Sequence, residues 1–154
     1  MRLYYWLFWF GLLLYIAAFF LPAIFAPGSS PLPGYRCAFY VTVMQPWTHD
    51  NQTLIHTEPL RYIPLVLTGW INPLFLVATI LILLRRAAKL ASILRGILIL
   101  LIPLCWIVFH YETVRPREGH FVWIIGMLLV LFSGTLRKTA STEAAPDPVA
   151  NASK

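Results

Sequence analysis

The stretch Pro64–Leu84, "PLVLTGWINPLFLVATILILL", decides how the chain is read. It holds no charged residue and is close to the ~20 residues that carry a helix across ~30 Å of hydrocarbon. Yet near its centre stand an amide and a proline side by side, Asn72 and Pro73. Polar groups cost free energy in hydrocarbon, and a proline inside a helix frees a backbone carbonyl, so the pair calls for a reason.

Working outward, three more apolar blocks of similar length appear. They cover about 3–25, 90–111 (interrupted by Arg95) and 119–136. Only 12% of the 154 residues are charged while 59% are hydrophobic, too few charges to cover a globular surface in water. The expected fold is an all-α membrane protein, a bundle of four transmembrane helices over residues 1–138. A disordered tail is expected over 139–154, which is rich in Ala, Pro, Ser and Thr.

Orientation follows from Lys and Arg. Arg85, Arg86, Lys89 and Arg95 crowd the turn between the second and third blocks, and Arg2, Arg137 and Lys138 fall on the same side. On the opposite side Arg36, Arg61, Arg115 and Arg117 are balanced by Asp50, Glu58, Glu112 and Glu118. The net charge of +6 therefore belongs to one face, which places both termini in the cytoplasm and gives the cations anionic lipid headgroups as partners. Nothing in the charge pattern suggests nucleic acid. "AIFA" at 23–26 resembles a small-residue cleavage site, but Pro27 follows directly and the apolar run is long for a signal peptide. An uncleaved anchor is expected.

The external loop, 26–63, opens with "APGSSPLPG", which cannot continue a helix. "YRCAFYVTVM" at 35–44 suits either a short strand or an interfacial helix. Trp47 and Tyr62 are suited to anchor the loop at the interface. Small residues recur on two stripes that would let helix backbones approach: Gly119, Gly126 and Ser133 in the fourth block, and Ala88, Ser92 and Gly96 in the third.

No Asp, Glu, Lys or His falls in the middle of any block, and Arg95 is near enough to the inner surface to snorkel. Pumps and ion-coupled carriers need ionisable groups at depth, so self-contained ion-coupled transport is not expected. Asn72 and Pro73 are read as a kink, with Pro73 freeing the carbonyl of Gly69 and Asn72 bonding a neighbouring helix, rather than as a broken helix lining a transport site. Pro103 is expected to kink the third helix at a similar depth. The Asn72 kink, beneath the Cys37 loop, could shape a shallow external cleft.

All four histidines, His49, His56, His110 and His120, lie outside the blocks or at their outer edge, beside carboxylates in "HTE", "HYE" and "EGH". His with carboxylate is an ordinary zinc set, and His110, Glu112, Glu118 and His120 bracket one short loop. They are the candidate metal ligands, although their spacing matches no metal motif. Cys37 and Cys105 are the two cysteines, either bridged or both unpaired, and no C-x-x-C pair exists for thiol–disulfide catalysis. No catalytic grouping and no cofactor motif is legible.

Three short motifs, "GYRC" at 34–37, "GWINPLF" at 69–75 and "GHFVW" at 119–123, carry a resemblance. The chain resembles a loose group of small bacterial four-helix membrane proteins. That group has Gly-Tyr-x-Cys after the first helix, Asn-Pro-Leu in the second, and Gly-aromatic-aromatic-x-Trp at the start of the fourth. The likeness runs from Met1 to about Leu136 and marks Gly34, Tyr35, Cys37, Asn72, Pro73, Leu74, Gly119 and Trp123. It implies a fold and a bacterial inner-membrane location and carries no activity. His120 stands where the pattern has an aromatic residue, which weakens it as part of a shared metal site.

The expected function is that of a non-enzymatic inner-membrane component that binds a partner protein, lipid or small ligand at its external face. The alternatives are a metal- or redox-linked protein using the external His and Glu residues, and an oligomeric channel or carrier subunit.

Overall fold

A computed structural model of the protein describes residues 3–25, 28, 30–44, 53, 56–84, 87–112 and 114–143, with the backbone alone at 44 and 135–143. These residues are mostly helical. Among the described residues six α-helices have both ends defined: α1 (Leu3–Ala18), α2 (Gly34–Phe39), α3 (Pro59–Gly69), α4 (Ile71–Leu84), α5 (Ala88–Tyr111) and α6 (Glu118–Glu143). Three very short strands, β1 (Pro22–Phe25), β2 (Leu32–Pro33) and β3 (Arg115–Pro116), form one antiparallel sheet in the order β2-β1-β3.

The first apolar block does not run as one helix to residue 25. After Ala18 the chain tightens into i→i+3 bonds, Phe19 N to Ile16 O at 3.1 Å and Phe20 N to Ala17 O at 3.0 Å. Pro22 has no N–H with which to continue, and the chain leaves as β1. The proline placement suits a sheet: Pro22 opens its strand, while Pro33 and Pro116 sit on the two edge strands, where a missing donor is tolerated.

Residues 35–44 are helical rather than extended. α2 continues into a π-helical turn, Tyr40–Met44, which packs on α3. The stretch containing Asn72 and Pro73 breaks at Trp70 into α3 and α4. Pro73 cannot donate to the carbonyl of Gly69, and that carbonyl is taken by the Thr42 hydroxyl, which donates to it at 3.0 Å. Gly69 is required here because a Cβ would lie 2.7 Å from the Val41 carbonyl oxygen. The break is thus a docking point for the π-turn, and the regular ladder resumes with Leu74 N to Trp70 O at 3.0 Å. By contrast, α5 stays one helix through Pro103.

The most extensive helix pairing joins α1 to α6. At its centre the backbones nearly touch: a Cβ on Gly126 would sit 2.6 Å from the Tyr15 nitrogen, and one on Gly11 2.7 Å from the Leu129 Cβ. Gly119 lies against the Pro22 carbonyl, and Ser133 is buried with its hydroxyl donating to the Val130 carbonyl. Of the seven-residue stripe of α6, Gly126 therefore meets α1 itself and Gly119 the chain that leaves it at Leu21 and Pro22, while Ser133 is buried. The core beside this seam holds Ile71, Phe75, Leu98, Met127 and Leu131, all fully buried. Nearer the charged end, Gly134 leaves room for the Arg95 guanidinium, whose Nη2 would be 2.5 Å from a Cβ there.

α6 continues to Glu143, past the expected end at 136 and into the segment expected to be disordered from 139. No Pro or Gly occurs between Thr135 and Glu143 to stop it. The remainder of the expected tail, 144–154, lies outside the described residues, as do Arg2, Arg85, Arg86, Trp47, His49 and Asp50.

Two helical stretches, Pro59–Leu84 and Ala88–Tyr111, are long and apolar enough to cross a membrane, while Leu3–Ala18 and Glu118–Gly134 are apolar but shorter. Large apolar side chains face outward over much of the surface, among them Trp6, Phe10, Leu13, Ile80, Leu100 and Phe132. So much exposed apolar surface exceeds what a soluble monomer carries singly.

Candidate functional site

Four segments meet at one end of the bundle: the turn after α1, the start of α2, the α3–α4 break and the start of α6. Glycine permits each meeting. A Cβ on Gly34 would collide with the Ala18 carbonyl and come within 2.9 Å of the Phe19 Cα, while Gly34 N and Tyr35 N donate to the Leu21 and Phe19 carbonyls at 2.9 Å. With Gly69 and Gly119, each of the three motifs noted in the sequence contributes the glycine of one close backbone approach.

These contacts leave a cavity of about 100 Å³ between the elements. The other motif residues turn toward it: Cys37 from α2, Asn72 from α4, and His120 and Trp123 from α6. Cys105 of α5 and Thr68 of α3 complete the polar part of the wall, and Phe109, Val108, Ala38 and Val41 supply the apolar part. Among the described residues, no charged side chain lines it.

Asn72 is the node of this region. Its Oδ1 accepts from the Tyr15 hydroxyl at 3.0 Å and from Trp123 Nε1 at 2.9 Å, so one amide ties α1, α4 and α6 together. The indole can only donate, which settles that the facing atom is the oxygen. The expected bond to a neighbouring helix is present, to two helices rather than one. Tyr15 is in turn packed on Phe75, ring centroids 4.4 Å apart.

His120 is 7% exposed and sits in an aromatic cage, 4.7 Å from the Phe109 ring and stacked on Trp123 at 5.3 Å between centroids. Its Nε2 is buried and has no hydrogen-bond partner. Because buried polar atoms are nearly always paired, this nitrogen calls for an explanation.

The structure scatters the other expected metal ligands. His110 is exposed at the end of α5 beside Tyr111. Glu112 accepts from Arg61 at 3.0 Å, an ion pair that joins the end of α5 to α3, and Arg61 also lies 3.7 Å from Glu58. Glu118 is exposed and pairs with Arg117 at 3.2 Å. Among the described residues, no three His, Cys, Asp or Glu side chains converge to hold a metal ion.

Cys37 and Cys105 are both free thiols on the cavity wall. Of the two options left open by the sequence, the structure has the unpaired one. Burial pushes the Cys37 thiol up to about 11, so at neutral pH it is protonated and unreactive.

Sequence reasoning singled out Asn72, Trp123, Cys37 and Cys105 separately, without the cavity that joins them. It missed Tyr15 and Thr42, which read as an ordinary aromatic and an ordinary loop residue. Tyr15 carried a signal of sorts, a phenol in the middle of an apolar run that needs a partner once buried.

No known protein family, curated protein or solved structure matches this chain.

Proposed function

We propose that the protein is a four-span component of a bacterial inner membrane, with both termini cytoplasmic, that binds a small neutral ligand or lipid segment at its outer end without transforming it. The four-span arrangement is supported by lengths as well as composition. α1 has 16 residues and the apolar part of α6, Glu118–Gly134, is of similar length, each roughly 25 Å of helix and a few ångströms short of a full crossing. The turn and β1 that follow α1 extend its reach toward the ~30 Å needed. The clustering of Lys and Arg at the opposite end from the cavity supports the orientation.

The observation that carries the binding reading is the cavity itself. Residues of all three motifs converge on one uncharged, mainly apolar space with a few fixed polar groups, which is the general form of a small-ligand site. Binding suits it better than catalysis, since no nucleophile–base pair or carboxylate faces it among the described residues and its Cys37 thiol is held neutral.

The test is native mass spectrometry of protein released from lipid nanodiscs, comparing wild type with Ala38→Leu, which fills the cavity. A retained small mass on wild type that is lost from Ala38→Leu is the expected result. Equal retention, or none on either, would remove the binding reading. Reporter fusions at the C-terminus and within 26–63 check the orientation independently.

A further inference from the structure

The cavity reading can be taken further, to the chemical class of what fills it. Both lone pairs of Asn72 Oδ1 are occupied by Tyr15 and Trp123, so what that side chain can still offer the cavity is its Nδ2 donor group. His120 presents a buried, unpartnered Nε2 in the same wall, which donates when that nitrogen carries the proton. Apart from the Cys37 and Cys105 thiols and Thr68, whose hydroxyl donates to the Leu65 carbonyl, the remaining wall is aromatic and aliphatic, with no charged group among the described residues to balance an ion. At about 100 Å³ the space is of the order of the ~150 Å³ that takes a benzene ring, so a small head enters and a longer tail must stay outside it.

We infer that the cavity takes the carbonyl-bearing head of a neutral lipophile, with the carbonyl oxygen accepting from Asn72 and His120 and the hydrocarbon remainder directed into the bilayer. This rests on the binding function proposed above. Asn72 Nδ2 can only donate and His120 Nε2 does so in the tautomer that carries its proton there, so an acceptor such as a carbonyl meets both; the uncharged wall selects against a carboxylate or phosphate, which would be buried without a counter-charge. The same head chemistry is present in a dissolved ketone and in the ester of a bilayer lipid.

The two cysteines are the only ones in the chain and both line the cavity, so their modification reports on its occupancy without background. The experiment uses full-length protein in nanodiscs of ether-linked phospholipid, which has no ester carbonyl. At about pH 9.5, where enough of the Cys37 thiol is ionised to react, methyl methanethiosulfonate labels Cys37 in the probe-free reference, and the peptide masses of Cys37 and Cys105 are then read in the presence of 2-undecanone or of undecane at matched membrane fractions. The ketone should protect about tenfold more strongly than the alkane, the discrimination expected for polar partners in a buried site. His120→Phe, which keeps an aromatic ring in the aromatic cage, should reduce that preference to about twofold or less and leave the effect of undecane unchanged. Protection already present in ester-lipid nanodiscs without any probe would identify the bilayer lipid as the carbonyl source, and its absence there a dissolved lipophile.

Equal protection by ketone and alkane overturns the carbonyl inference and leaves an apolar binding cavity. An undiminished ketone preference in His120→Phe overturns the role of His120. If neither probe protects either cysteine, the binding function itself fails as well.

Discussion

The two stripes of small residues look equivalent as sequence and end differently in space. On α6, Gly126 lies against α1, Gly119 against the chain just after it and Ser133 is buried, and the two glycine positions have no room even for a methyl group. On α5, Ala88 and Ser92 are exposed and a Cβ on Gly96 would meet nothing within 4 Å. Small residues permit close approach, but a partner helix must arrive with its own small residue at the same height. Gly11 does this for Gly126, and no described residue does it for Gly96. The lesson is that a stripe is half of a contact.

The comparison can be broken most severely at Gly126. Gly126→Leu drives a side chain into the backbone of α1, where nothing flexible can yield, and should cost about 3 kcal/mol or more. A loss of folded monomer, or a large fall in thermal midpoint in detergent, is the expected reading. A variant that keeps wild-type stability would show that α1 and α6 are not in contact there. Next in size is Asn72→Leu, which strands the Tyr15 hydroxyl and the Trp123 indole together. Two lost bonds at the modest strength measured between spanning helices give about 1–2 kcal/mol. Measured against Tyr15→Phe in a double-mutant cycle, the coupling between residues 15 and 72 should be clearly non-zero.

Thr42→Val keeps the shape of the side chain and removes the donor to the Gly69 carbonyl, for a smaller loss of about 1 kcal/mol. The fall should be accompanied by faster proteolysis of the 26–63 loop, because the π-turn loses its tie to the helix break. At the other stripe the sign reverses. Gly96→Ala adds a methyl group in open space to a helix interior and should stabilise by about 0.5–1 kcal/mol. A destabilising Gly96→Ala would reveal a partner on that face.

The mildest perturbation changes no residue. The Cys37 thiol, raised to about 11 by burial, is neutral below that value and becomes a nucleophilic thiolate only as pH approaches it. Its alkylation rate should therefore rise about tenfold per pH unit from 7 to beyond 9, without the plateau near 8.5 of a free thiol. An early plateau would mean that Cys37 is solvated rather than set in the cavity wall.

The helical fold, the break at residues 70–73 and the freed Gly69 carbonyl were legible, because block length and proline chemistry are local properties. What filled the vacancy was not, since Thr42 comes from a segment whose periodicity fitted strand and helix equally well. The sheet was illegible for a related reason: its strands are two to four residues long and hold three prolines, so no alternation exists to read. For the site, composition pointed to external His and Glu residues, which the structure distributes among ion pairs, solvent and an aromatic cage. The short motifs were the better guide, yet their glycines could be understood only once the backbones they accommodate were in place. The resemblance group has an aromatic residue where His120 stands, and the ring stacking around it follows that preference; the nitrogen it adds is the part the pattern did not foresee.

The Asn72 node also has a consequence for the order of events as the chain is made. Tyr15 lies 57 residues before Asn72, and Trp123 lies 51 residues after it. α1 leaves the ribosome long before α6, so for most of synthesis the glycine face of α1 has no helix to meet and the amide has at most one of its two donors. The closing element is α6, and until it is made, the earlier helices have only their packing on one another, such as that of α4 on α5. Such a protein is vulnerable in the interval between translation of residue 72 and residue 123, which is when quality control would recognise a defective copy.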